Sequence, residues 1–496
     1  MRNGGENEQH NFENKMNSKK NYIFAKLMRK IFLSAAFIIF SNLIFGQGYE
    51  INVTINGLRD STIFLAYHLG DRQYIHDTLI LDNAGKTAVK GNETLPHGIY
   101  MIVLPGHTYF EMLISDNQRF SVSCSYNDYI NTLSFEGSDE NTAFLDYQRK
   151  WRQLQEDMMA LSRRAAANRE NRDSLTIINN AQVAQERAMK DYLNSVVAEN
   201  KSNMLGLLVK TILPVEIPVF EIPAGTGNPD SLRRMLAYTY NKDHFFDNID
   251  LNDERILRTP ILPPRLKTFF SDIVIQAPDS VNKEIDIIIS KCQNNYRVFQ
   301  FVSTFIFNHF RISEIMGHDA IMVKLADDIY LTDKADWVPQ EFKDDLRRQV
   351  ELLRHNLIGI QAQDLVMESH RGMFVSLHDI EKDFTILYFW EPDCGHCKEV
   401  TPKLKAYYEK AKNDNVEVFA ICTIADKEKW SNYIQENQLD WINGWDPQRR
   451  SRYDFYYNVQ STPMLYILDR NKKIIAKRLS VDNIDSFIED YKRYGM

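Results

Sequence analysis

Cys394-Gly395-His396-Cys397, set between an apolar run and a helical pattern, constrains this chain more than any other feature of its 496 residues. The run Phe384 to Trp390 reads as a buried strand, and the helical pattern begins just after Gly395. A cysteine in the first turn of a helix meets unpaired backbone N–H groups and the positive end of the helix dipole, and both favour thiolate over thiol. Cys394 is therefore the expected nucleophile. Cys397 lies one turn further on, placed to attack a mixed disulfide formed at Cys394. His396, when protonated, adds positive charge nearby, whereas the Asp393 carboxylate opposes ionisation of the thiol. Further strands are expected at Val416 to Thr423, Met464 to Leu468 and Lys473 to Leu479, with helices at Lys427 to Glu436 and Asn483 to Tyr494. That order predicts a central sheet covered on both faces.

Residues from about 360 to 496 resemble the thioredoxin superfamily, and within it the exported TlpA-like thiol-disulfide oxidoreductases. The resemblance is carried by Tyr388-Phe389-Trp390, the Cys394 and Cys397 dithiol, Pro402 in the following helix, and Thr462-Pro463 about seventy residues downstream. It implies a thioredoxin-like fold, dithiol chemistry and a cis peptide before Pro463 that leaves the edge of Thr462 free for an extended substrate. Gly395, His396, Trp390, Thr462 and Pro463 would support the two cysteines, with Lys398 and Glu399 as weaker candidates. Three positions depart from the family pattern. Tyr388 stands where a buried proton-accepting Asp is usual, Val400 where TlpA-like proteins often carry Glu, and Asp393 where Trp is common. The preceding regions resemble β-rich and helical domains of unknown function that accompany such modules, through Asp247-Asn248-Ile249-Asp250 and the Gly317 region. No activity comes with that resemblance.

The first 46 residues read as a targeting segment, in which Lys15, Lys19, Lys20, Lys26, Arg29 and Lys30 precede an uncharged apolar run from Ile31 to Phe45. Met28 would give a more compact start. The apolar run falls short of the roughly 20 residues a spanning helix needs, so cleavage is expected, with retention of residues 31–45 as a membrane anchor the alternative. Export to a periplasm or cell envelope follows. A net charge of -8 offers no basic footprint for nucleic acid. Five cysteines in so long a chain do not make a disulfide scaffold. Cys124 falls on the inward face of a strand and Cys292 on the apolar face of a helix, both as packing residues, and Cys422 stands alone.

The expected organisation is multidomain: a signal peptide over 1–46, an antiparallel β-sandwich over 47–135, a mostly α-helical domain over 136–356 and a C-terminal α/β thioredoxin-like fold over 357–496. Short alternating strands run from Tyr49 to Tyr126, separated by turns such as Asp82-Asn83-Ala84-Gly85. Ser138 opens a long helix with a packing stripe of Phe144, Tyr147, Trp151, Leu154, Met158 and Leu161, and a second helix spans Ser174 to about Asn200. Pro214, Pro218 and Pro223 then break the chain, and Pro229 with Asp230 starts another helix. Acids between Asp243 and Asp253 lack the glycine and distal glutamate of a calcium loop and read as caps and turns.

A Cys-x-x-Cys can be half of a zinc site, but no second pair is present. A peroxidase would want Thr and Pro where Glu391 and Leu387 stand. The expected function is exchange with disulfides of client proteins through the redox-active Cys394–Cys397 pair, with no other cofactor and no metal. Its partners would be those clients, a membrane electron donor and an envelope partner for residues 47–356. Reductase, isomerase and oxidase share the chemistry and differ in potential, from about -270 mV to about -120 mV, and the Gly-His dipeptide resembles that of isomerases, mid-range. An envelope binding protein with a vestigial dithiol is the rival reading.

Overall fold

The computed structural model describes residues 48–495, so the expected targeting segment lies outside the described residues. The described chain forms two compact units that divide between Leu213 and Pro214. Among the described residues no helix is long and apolar enough to cross a membrane.

The first unit is built on two four-stranded sheets. One has the order β4-β1-β7-β8, from strands β1 (Glu50–Asn56), β4 (Lys86–Lys90), β7 (Arg119–Ser125) and β8 (Ser134–Glu136). The other has the order β3-β2-β5-β6, from β2 (Thr62–Leu69), β3 (Arg72–Ile80), β5 (Gly98–Val103) and β6 (Tyr109–Ile114). Period-2 alternation is the cause: Ile51, Val53 and Ile55 of one sheet and Ile63, Leu65, Ile102 and Met112 of the other share a single core with Cys124. Asp82 holds its turn by accepting from the N–H groups of Ala84 and Lys86, each at 2.8 Å. The sandwich has one parallel pair, β1 with β7. Alternation reports which residues are strand and which face is buried; it is silent on strand direction.

Ser138 caps helix α1 (Asp139–Ala167) by accepting from Asn141 N–H. Asn141, 1% exposed, accepts from Leu113 N–H at 2.7 Å and donates to Leu113 C=O at 2.9 Å. It thereby satisfies free backbone groups of the edge strand β6, a position that would otherwise invite another strand. Helices α2 (Arg172–Glu199) and α3 (Met204–Ile212) complete the unit, with Tyr147 of the expected stripe stacked on Tyr192 of α2. The helical stretch over 136–356 is therefore shared between two units. Its first helix is tied to the sandwich by polar contacts that periodicity does not reveal.

In the second unit, Pro214 to Asn228 leads to α4 (Pro229–Asp243), α5 (Pro278–Cys292), α6 (Tyr296–Arg311) and α7 (Gln340–Arg354). Phe245, Phe246, Phe269, Phe270 and Phe310 form an aromatic cluster among the helical segments. The acids between Asp243 and Asp253 act locally: Asp253 and Asp250 accept from backbone N–H groups, Asp243 pairs with Lys242 and Asp247 with His244. Cys292 is fully buried in α5.

The C-terminal part of this unit is a seven-stranded sheet of order β10-β9-β13-β12-β11-β14-β15. Its strands are β9 (Val366–Ser369), β10 (Phe374–Ser376), β11 (Phe384–Trp390), β12 (Val416–Cys422), β13 (Ile442–Trp445), β14 (Met464–Leu468) and β15 (Ile474–Lys477). Strands β9, β10 and β13 have three or four residues each, too short for alternation to register. Strand β11 is buried at all seven positions, as a central strand covered on both faces must be. Ile386, Tyr388 and Trp390 face a core closed by helices α8 (Gly395–Ala411), α9 (Lys427–Asn437) and α10 (Ile484–Tyr494). Leu387 and Phe389 face a second core containing Tyr453, Tyr457 and Tyr466. The helical segment and the sheet are joined by Lys477, whose ammonium donates to the carboxylate of Asp319 and to Asn356 C=O at 2.8 Å.

Candidate active site

The central strand fixes the position of the dithiol. Past Trp390 the chain leaves the sheet through Glu391, Pro392 and Asp393, and Cys394 becomes the N-cap of α8 with extended backbone geometry. Its Sγ accepts from Cys397 N–H at 3.3 Å, and its thiol donates to the Thr462 carbonyl at 3.4 Å. One helical turn on, Cys397 is fully buried whereas Cys394 is half-buried.

Electrostatics separates the pair. Partial burial opposes ionisation of Cys394, but hydrogen bonds from Cys397, the Thr462 side chain and the His396 backbone outweigh it and hold the thiol below its ordinary value. Burial dominates at Cys397 and pushes its thiol up to about 12. Cys394 is thus the group that carries charge nearer neutrality, and Cys397 keeps its proton until something takes it.

Other residues singled out in the sequence take varied positions. The Thr462-Pro463 peptide is cis. Trp390 is fully buried and packs against Tyr433 at 4.9 Å between ring centroids. Gly395 is exposed as the first residue of the helix. His396 is exposed, and its backbone is among the groups that lower the Cys394 pKa. Lys398 and Glu399 are exposed, and among the described residues neither is hydrogen-bonded to a sulfur. Cys422, at the end of β12 and paired in register with Trp390, is fully buried, with its thiol pushed up to about 12 mainly by burial.

Two residues that the motif does not announce join the site. Lys429 of α9 donates to the Asp393 carboxylate at 2.8 Å, and that hydrogen bond holds the carboxyl below the usual carboxylate range. The negative charge beside Cys394 is accordingly met by a positive one. Glu391 accepts from the Thr462 hydroxyl at 3.2 Å. Register explains the second contact: β11 and β14 pair Phe389 with Met464, and two steps beyond that pair stand Glu391 and Thr462. A cleft of about 590 Å³ opens beside Pro463, lined by Val400, Gln460, Ser461, Met464 and Arg478 among others.

Residues 382–474 match the family model described as Thioredoxin-like. The chain is similar to mouse nucleoredoxin, 26% identical over 206 residues, which are 41% of this chain and 42% of that protein. It spans less than half the length of the mouse and human nucleoredoxins it matches. Similarity extends to thiol-disulfide oxidoreductase ResA of Bacillus cereus, 23% identical over 120 residues, 24% of this chain and 68% of that one. Among solved structures, a domain of a possible thiol-disulfide isomerase from Cytophaga hutchinsonii is 35% identical, with 28% of this chain and 94% of that chain covered and a TM-score of 0.27.

Proposed function

We propose, on the premise that residues 382–474 belong to the thioredoxin superfamily, that the protein is an exported thiol-disulfide oxidoreductase acting on disulfide-bonded client proteins of a periplasm or cell envelope. The observation that carries this reading is the division of labour at one helix start: Cys394 is half-buried and hydrogen-bonded as thiolate requires, and Cys397 is fully buried one turn behind it. The Cys394 thiolate attacks one sulfur of a client disulfide; the S–S bond breaks, and the displaced client sulfur leaves with the electron pair. Cys397 then loses its proton and attacks Cys394 Sγ, forming the internal disulfide and releasing the second client sulfur as thiolate. The client gains two electrons and the dithiol loses them. A membrane electron donor would restore the dithiol, and if the attack returns to a different client sulfur the outcome is isomerisation. The cleft beside Pro463 offers an extended client segment both apolar surface, from Val400 and Met464, and charge, from Arg478. Residues 47–356 would set location or client choice.

Reduced protein mixed with excess insulin tests this reading. The expected result is about one insulin disulfide opened per Cys394–Cys397 pair, and none opened by the Cys394→Ser variant. Insulin left intact by the wild-type protein, or opened equally by the variant, would remove the basis for the proposal.

A further inference from the structure

Resolution of a mixed disulfide requires a proton to leave Cys397, and Cys397 is fully buried with a thiol pushed up to about 12 by burial. The position at which the superfamily pattern would hold a buried acid is occupied by Tyr388. That hydroxyl is bonded to Thr401 at 3.0 Å, and burial raises its own affinity for a proton far above the ordinary phenol value. It cannot accept. Cys422, on β12, and Tyr433, on α9, also face Cys397, and both hold their protons more tightly than usual because they are buried. Asp393 and Lys429 neutralise one another at the surface. Among the described residues, the acidic side chain that Thr462 is hydrogen-bonded to is Glu391.

We propose that Glu391 takes the Cys397 proton through the hydroxyl of Thr462. Thr462 sits against the dithiol: its carbonyl accepts from Cys394 at 3.4 Å, its side chain lies close enough to lower the proton affinity of both sulfurs, and its hydroxyl donates to Glu391 Oε1 at 3.2 Å. The Glu391 backbone is also hydrogen-bonded to Cys397, so strand β11 and the cis Thr462-Pro463 turn hold the three groups together from opposite sides. In the step, Cys397 S–H passes its proton to Thr462 Oγ as the Thr462 O–H proton moves to Glu391, and the Cys397 thiolate attacks Cys394 Sγ. The Cys394–client S–S bond breaks and the client sulfur leaves with the electron pair. Glu391, half-buried, then returns the proton to solvent. Glu391 touches neither reacting sulfur through its carboxylate and acts through Thr462, so it is a positioning and relay residue.

This inference rests on the dithiol reading above, and a single-turnover experiment separates the two. Reduced full-length protein is mixed with glutathione disulfide between about pH 5 and pH 9, quenched with acid at intervals, and weighed by mass spectrometry to follow the glutathione adduct and the internal disulfide. Wild type should pass through the adduct quickly. Glu391→Gln, which keeps an acceptor for Thr462 but cannot take a proton, should accumulate the adduct, with resolution slowed by about 10²-fold, the usual worth of a positioned base. Its resolution rate should rise steadily with pH as hydroxide replaces the missing base, while adduct formation at Cys394 stays within about twofold of wild type. Glu391→Asp should recover part of the rate, and Thr462→Val should share the defect by cutting the path at its middle. Resolution by Glu391→Gln at the wild-type rate across the pH range, or equal slowing of formation and resolution, would overturn the relay while leaving the dithiol reading intact. Absence of both adduct and internal disulfide in wild type would overturn the dithiol reading and the relay with it.

Discussion

Replacing Cys397 with alanine is expected to leave a protein that attacks disulfides and cannot release them. Cys394 keeps its place as N-cap of α8, its contact with the Thr462 carbonyl and the N–H of residue 397, so formation of the mixed disulfide continues. What disappears is the internal nucleophile one turn away. A well-oriented intramolecular group acts at effective concentrations above about 10⁵ M, so millimolar external thiol cannot replace it, and release should slow by about 10³-fold or more. Non-reducing electrophoresis of Cys397→Ala after incubation with a disulfide-bonded protein should show a stable covalent complex that dithiothreitol dissolves. Cys394→Ser should form no such complex, because its hydroxyl cannot exchange with a disulfide. A complex formed equally by Cys394→Ser would reassign the nucleophile.

The second large effect is on stability, at Lys477. This ammonium is 7% exposed and has the Asp319 carboxylate and Asn356 as its partners. Among the described residues Asp319 Oδ1 has no hydrogen-bond partner, and the carboxylate meets the ammonium through Oδ2. Removing it in Asp319→Ala strands a buried charge, and the expected loss is about 3–5 kcal/mol of unfolding free energy near neutral pH. Burial already lowers the Lys477 pKa in the intact protein, with Asp319 opposing that shift. Without Asp319 the folded-state value falls further below the unfolded one, so the unfolded chain binds more protons than the folded variant. Stability of the variant therefore rises with pH, by up to about 1.4 kcal/mol per unit, until Lys477 is deprotonated in both states. Urea denaturation of wild type and variant at about pH 7 and pH 10 should show a deficit that narrows at the higher pH. A deficit below about 1 kcal/mol at both would mean that water reaches the ammonium and that the helical segment is not anchored through it.

How much of this was legible in the sequence depends on how local each feature is. The Cys394 motif, the buried strand before it and the Pro463 strand start are read from a few adjacent residues, and the elements around them lie within a residue or two of expectation. The N-cap at Ser138 is equally local. Lys429 and Glu391 were not legible as partners. The first lies thirty-six residues from Asp393 on another helix, and the second meets Thr462 only because β11 and β14 pair in one register. His396 illustrates the converse: the residue is where the motif puts it, but a histidine in a motif does not say whether ring or backbone faces the sulfur. The division at Leu213 also escaped, since Asn141 and Lys477 set the helical segments into their units by side-chain contacts that leave no periodic trace.

An equilibrium redox titration against a glutathione series bears most directly on the central claim. Free thiols are trapped by alkylation, mass is read for wild type and Cys394→Ser, and the buried Cys124, Cys292 and Cys422 are expected to stay unchanged throughout. One two-thiol transition is expected in wild type, with a midpoint between about -270 mV and about -120 mV, and its loss in the variant. A wild-type protein that shows no transition across that range, or the same one after Cys394 is replaced, would contradict that claim.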